Sequence, residues 1–131
     1  ISLVVVNSIG QDEPDELTRL SLIRARFLEL IALNTNYRRH SEELFLIGLF
    51  SLLDVILKAP LYSILEELKA PDRVTDALIH GTGEFGDIFN MAILYEKGQW
   101  DEFLYSSEKL KVDQSMVANV YLESLVWCNK L

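Results

Sequence analysis

The side chains that could do chemistry are few, and their spacing favours structure over catalysis. Two histidines occur, His40 in the polar stretch 34–40 and His80 just ahead of Gly81. Neither has a partner at metal-ligand spacing, so the expected roles are exposure and capping, an imidazolium being favourable at a helix C-terminus. The single cysteine, Cys128, follows Trp127 in an apolar run and reads as a small core hydrophobe. Asp54 is the one carboxylate inside the apolar stretch 41–57. Buried without a partner it would cost several kcal/mol, so a pairing with an arginine or a helix N-terminus is expected, with an acid/base role as the alternative. Asp87 and Glu96 are the other acids that could join Asp54 in a divergent metal-dependent phosphohydrolase. Arg24, Arg26, Arg38 and Arg39 form the one basic cluster. On a helix Arg24 and Arg26 point about 200 degrees apart, so one is expected to neutralise Asp54 or Glu29. Arg38 and Arg39 are expected at the surface as candidate contacts for an acidic partner or an anion. Gly81, Gly83 and Gly86 do not make a phosphate loop, because no strand precedes them and no lysine follows.

Helices must position these groups. From about Asp15 to Leu33, apolar residues recur at three- and four-residue steps (Leu17, Leu20, Ile23, Phe27, Leu30, Ile31), the pattern of one inward face. The stretch 41–57 is apolar on nearly every side and is expected to be one enclosed core helix, N-capped by Ser41, with Glu42 and Glu43 in its first turn. It is too short for a membrane span of roughly 20 residues. Pro60 is expected to open a helix through Leu68, and Pro71 another ending at His80. Further helices are expected over 83–97, with Gly98 as a left-handed cap, over 100–110 and over 112–131. Residues 1–9 read as a helix tail stopped at Gly10. No stretch alternates as a strand would, and no repeat period is found.

Three stretches carry a family resemblance. Arg24-Ala25-Arg26-Phe27 opens an Arg-Ala-Arg-x-x-Glu-Leu helix, Gly48-Leu49-Phe50-Ser51-Leu52-Leu53-Asp54 is similar to Gly-Leu-Leu-Ser-Leu-Leu-Asp, and Tyr95-Glu96-Lys97-Gly98-Gln99-Trp100 is similar to Tyr-Glu-x-Gly-x-Trp. In that order they resemble the HDOD domain, the HD-related output domain of bacterial signalling proteins, in the version joined to an EAL cyclic-di-GMP phosphodiesterase domain. The resemblance implies an all-α, compact multi-helix HD-like domain, with residues 1–131 forming a single unit that is the C-terminal part of an HDOD domain cut from a longer chain. HD relatives bind metal through a histidine and an adjacent His-Asp pair, commonly in Gly-x-x-His-Asp-x-Gly. Laid on that pattern through Gly48, the histidine position holds Ser51, the aspartate position Leu52 and the second glycine Asp54. Arg24 falls where the first histidine belongs. Serine ligates divalent metals poorly, leucine not at all, and arginine carries a permanent charge. No metal, no cofactor and no catalysis by this domain are therefore expected.

The composition bounds the domain and its partners. Half of the 131 residues are hydrophobic, enough for one real core, and a net charge of -8 disfavours nucleic acid and anionic membrane surfaces. One cysteine suits a reducing cytoplasm. The resemblance, rather than the composition, implies a non-catalytic output or regulatory domain acting on protein partners or an attached signalling domain, and self-association through exposed apolar area is expected. An unrelated helical adaptor is the remaining alternative.

Overall fold

A computed structural model describes residues 15–131. The helix end expected at residues 1–9 lies outside the described residues. The fold is all-α, and among the described residues there is no strand.

The long amphipathic segment forms α1, Asp15–Leu33. It buries Ile23, Phe27, Leu28, Leu30 and Ile31 on the face that the apolar spacing marked out. Its end is closed by local polar groups, because the last carbonyls of a helix lack intrahelical donors. Asn34 Nδ2 donates to Leu30 O at 2.8 Å, and Thr35 Oγ1 to Ile31 O at 2.9 Å. Arg38 Nη1 reaches back to Leu33 O at 2.9 Å.

A single 3-10 turn, Arg38–His40, runs straight into α2, Ser41–Phe50. Ser41 is therefore the first helical residue rather than the cap. The flanking position belongs to His40, whose Nδ1 lies 2.9 Å from Glu43 Oε1 one turn on. The expected single helix over 41–57 is broken. Leu52 leaves helical geometry (φ -116, ψ 8), and a short α3, Leu53–Leu57, restarts beyond it. The break has a cause in Ser51, whose hydroxyl donates to Gly48 O at 2.8 Å and competes for the carbonyl that the helix would otherwise use.

Enclosure is also uneven. Leu44, Ile47, Leu49 and Phe50 of α2 are buried, whereas Val55 and Leu57 of α3 are about half exposed, at 50% and 48%. Two proline-led helices follow. These are α4, Leu61–Glu67, and α5, Asp72–Thr75, which widens into a π-turn at Asp76–His80 and closes on Gly81. Three longer helices complete the chain: α6, Gly83–Glu96, α7, Trp100–Leu110, and α8, Gln114–Asn129. The last begins later than expected, because Asp113 Oδ1 accepts Ser115 N at 3.0 Å and so caps it, leaving Val112 buried in the turn.

α1 packs most extensively on α2 and next on α8, while α6 packs on α7. The α1–α2 crossing is so close that a Cβ on Gly48 would lie 2.5 Å from Ala25 N and 2.6 Å from Ala25 Cα. Only glycine fits there. That approach brings Arg24 beside the break at Ser51.

Candidate functional site

A largely buried ion pair joins α1 to α6. Arg24 on α1 grips Glu96 on α6 through Nε (3.0 Å to Oε2) and Nη2 (2.7 Å to Oε1). Its third nitrogen, Nη1, donates to Ser51 Oγ at 3.2 Å. Both charged side chains are only 12% exposed. A planar guanidinium satisfies a carboxylate in this two-point way where a lysine could not. Ser51 is thus held twice, accepting from Arg24 and donating to Gly48 O.

Two of the four positions singled out from sequence, Arg24 and Ser51, are in direct contact. Leu52 follows at the break and is half-buried. Asp54 is partly exposed on α3, and no hydrogen bond or ion pair of its side chain occurs among the described residues. The expected arginine partner for Asp54 is therefore corrected: Arg24 pairs with Glu96, Arg26 with Glu29 at 2.6 Å, and Asp54 avoids the burial penalty by staying wet. Glu96 is the residue missed as Arg24's partner, although it stands in the Tyr95–Trp100 motif.

The rest of that motif surrounds the pair with aromatic rings. Tyr95 packs against Phe27, Trp100, Phe103 and Tyr121, with centroid separations of 5.9, 5.3, 5.1 and 5.4 Å. Gly98 turns the chain at φ +71, and Trp100 folds back onto Tyr95. Burial raises the Tyr121 phenol above its ordinary value, the charges of Glu96 and Tyr95 add to this, and Arg24 partly offsets it.

These residues do not fit the divalent metal of an HD centre. The Arg24 guanidinium is a permanent cation that ligates no metal, and it already neutralises Glu96. Among the described residues no three of His, Cys, Asp and Glu are grouped to hold a metal ion.

The other sequence candidates are dispersed. Arg38 and Arg39 are both exposed on the 3-10 turn, Arg38 serving as the cap on α1. His80 is exposed at the end of the π-turn. Cys128 is buried against Arg19, whose Nη1 lies 3.7 Å from Sγ. His40 is more engaged than its polar sequence context suggested. Its ring meets Phe85 edge-on at 5.3 Å, and Nδ1 lies 3.4 Å from Arg73 Nη1 as well as beside Glu43. It lines a half-open cleft of about 530 Å³ with Tyr37, Arg73, Asp76 and Glu84. Tyr37 Oη donates to Glu84 Oε2 at 2.8 Å and separates this cleft from a second one of about 520 Å³. Burial, the bond to Glu84 and the charges of Glu84 and Asp87 all raise the Tyr37 phenol. Among the described residues no helix is long and apolar enough to cross a membrane.

Comparison with known proteins adds a context. The chain is similar to one segment of a cyclic di-GMP phosphodiesterase. The relative, cyclic di-GMP phosphodiesterase CdgJ of Vibrio cholerae, is 34% identical over 127 residues, covering 97% of this chain and 29% of CdgJ. The uncharacterized protein YuxH of Bacillus subtilis is 33% identical over 122 residues, covering 93% of this chain and 29% of YuxH. The chain thus spans less than a third of either curated relative. No family model matches the chain, and no solved structure matches it.

Proposed function

We propose that this chain is a non-catalytic regulatory module of the HDOD type that acts through protein contacts on a cyclic di-GMP phosphodiesterase domain of the EAL class. The observation that carries the reading is Arg24 bound to Glu96 and Ser51. If the HD pattern that the resemblance implies holds, a permanently charged and already paired guanidinium takes the place of the ligand set that metal-dependent phosphate-ester hydrolysis needs, which supports the reading. What remains is a packed helical body that offers surfaces, among them the exposed Val55, Leu57 and Tyr62 of α3 and α4 and Leu68 just past α4. The similarity to a segment of CdgJ supports the cyclic di-GMP context. A cytoplasmic setting, an attached or separate protein partner, and self-association through the exposed apolar residues belong to the same proposal.

The competing phosphohydrolase, which would use Asp54 with Asp87 or Glu96, draws little support. Asp87 and Glu96 lie about 13 Å apart along the α6 axis, and Glu96 is committed to Arg24. The test compares cyclic di-GMP hydrolysis by the parent protein with that of the parent lacking residues 15–131, recording divalent metal in the isolated chain after dialysis. A changed rate with a metal-free chain is expected. An unchanged rate rejects regulation in cis, and a retained stoichiometric metal ion rejects the non-catalytic reading.

A further inference from the structure

Helix α8 has two apolar faces, and the described fold covers one of them. Val117, Val120, Ser124 and Cys128 make the buried face. About 140 degrees around the helix, Leu122 and Val126 are 61% and 53% exposed, with Ala118 and Leu125 half-buried beside them. A single exposed leucine is ordinary. Two large apolar side chains at i and i+4, flanked by two more and interrupted by no charge, make a stripe of the kind that another chain segment covers.

The path of α1 says which segment is at hand. Near the start of α1, Arg19 Nη2 donates to Asn129 Oδ1, and Nη1 lies 3.7 Å from Cys128 Sγ. Two turns further on, Phe27 meets Tyr121 at 5.0 Å. The two helices are therefore antiparallel, and the chain ahead of Asp15 leaves from the C-terminal end of α8. Residues 1–9, outside the described residues, supply Ile1, Leu3, Val4, Val5, Val6 and Ile9 and no charge. At helical spacing Ile1, Val4, Val5 and Ile9 share one face. The connection 10–14 can span up to about 16 Å, more than the roughly 8–10 Å between the axes of neighbouring helices. Nine helical residues cover about 13 Å, against about 10 Å from Asn129 back to Leu122 and about 16 Å back to Ala118.

We infer that the α8 stripe centred on Leu122 and Val126 is the seat of residues 1–9 of the same chain. Running back along α8, the segment lays its apolar face on the stripe, and the connection brings Asp12 and Glu13 toward the exposed Lys130, a favourable pairing of sign. A second copy offering its own stripe would have to meet the cost of association, whereas a segment five residues away is held at high effective concentration. The inference goes beyond the regulatory reading, and it removes this face of α8 from the surfaces open to a partner.

A nitroxide on Ser2→Cys, in a chain whose one native thiol is removed by Cys128→Ala, tests it by paramagnetic broadening of backbone-amide NMR signals. Residues 118–126 are expected to lose intensity, while 55–62 keep theirs. Leu122→Lys combined with Val126→Lys, both at exposed positions, is expected to abolish the loss with far-UV helicity unchanged. A second measurement leaves Cys128 in place, so that a folding defect of the labelled chain cannot decide the matter: Val5→Lys is expected to shift the amides of 118–126. No broadening of 118–126, broadening centred on 55–62, broadening that survives the two lysines, or unmoved amides in Val5→Lys overturns the inference. Broadening that appears only between labelled and unlabelled chains in a mixture also overturns it, and assigns the stripe to a second copy.

Discussion

The guanidinium of Arg24 holds the carboxylate of Glu96 across 72 positions of sequence, tying the middle of α1 to the end of α6 at 12% exposure on both sides. Removing one partner strands the other charge in a site that burial has made expensive, which costs about 3 kcal/mol for a well-buried pair. Arg24→Ala and Glu96→Gln are each expected to lower unfolding free energy by about that much in urea titrations, with the m-value unchanged. Arg24→Met combined with Glu96→Leu is expected to lose clearly less than the sum of the single variants. A near-zero effect of Arg24→Ala would mean that the pair is as wet as a surface salt bridge.

The second expectation concerns the crossing that sets this geometry. At Gly48 a β-carbon would sit 2.5 Å from Ala25 N and 2.6 Å from Arg24 C, both backbone atoms that no rotamer change can move aside. Gly48→Ala must push α1 and α2 apart, at a cost of about 3 kcal/mol from overpacking, well beyond any gain in helix propensity. Thermal unfolding should show a large drop in Tm. Loss of the Arg24–Ser51 bond should accompany it, because Ser51 lies one turn from the displaced glycine.

Much of this was legible in the sequence, for reasons that particular residues make plain. α1 came out at its observed bounds because a 3.6-residue apolar period is intrinsic to the chain and Asn34 and Thr35 supply its end locally. The break at Ser51 was not legible. A hydroxyl that bonds to Gly48 O looks, in sequence, like any serine on an apolar helix, and only the close approach of α1 gives it Arg24 as a second partner. Arg24 and Ser51 were both marked by motif, yet their link to Glu96 spans three helices and leaves no short-range signal. The same holds for the cleft, whose walls come from residues 36–40, 73–76 and 82–85. Asp54 escapes sequence reasoning because an apolar neighbourhood in sequence is not burial in space: α3 leaves Val55 and Leu57 half exposed.

A third expectation is a gain in stability. Lys58, Lys69 and Lys111 all have positive φ, at 53, 56 and 59 degrees, in left-handed positions that follow helices. A residue with a β-carbon pays about 1 kcal/mol there, and glycine pays little. Lys111 caps α7 with its backbone N–H directed to Glu108 O and Ser107 O, and its side chain is exposed. Lys111→Gly is therefore expected to stabilise the fold by about 0.5 kcal/mol, the relief of strain exceeding the extra freedom gained by the unfolded chain. Denaturant midpoints would register this as a rise, and a fall would show that the lysine side chain contributes packing that exposure conceals.

The last expectation is a pH dependence at the alkaline end. Burial is the leading cause that raises the Tyr37 and Tyr121 phenols above 10.0, and neighbouring carboxylates reinforce it through Glu84 and Asp87 at Tyr37 and through Glu96 at Tyr121. A phenol whose pKa is higher folded than unfolded keeps its proton longer in the native state. Its contribution to stability is complete below the unfolded value near 10 and is lost as pH rises through the higher folded value, since the unfolded chain then releases a proton that the fold retains. Unfolding free energy should accordingly fall from about pH 10 upward. Absorbance titration at 295 nm should show late-ionising tyrosine among the five present. Tyr121→Phe should remove part of that late component, and Tyr37→Phe a further part together with the bond to Glu84. If both single variants leave the titration curve unchanged, the aromatic cluster around Tyr95 and the hydrogen bond between the two clefts are open to water.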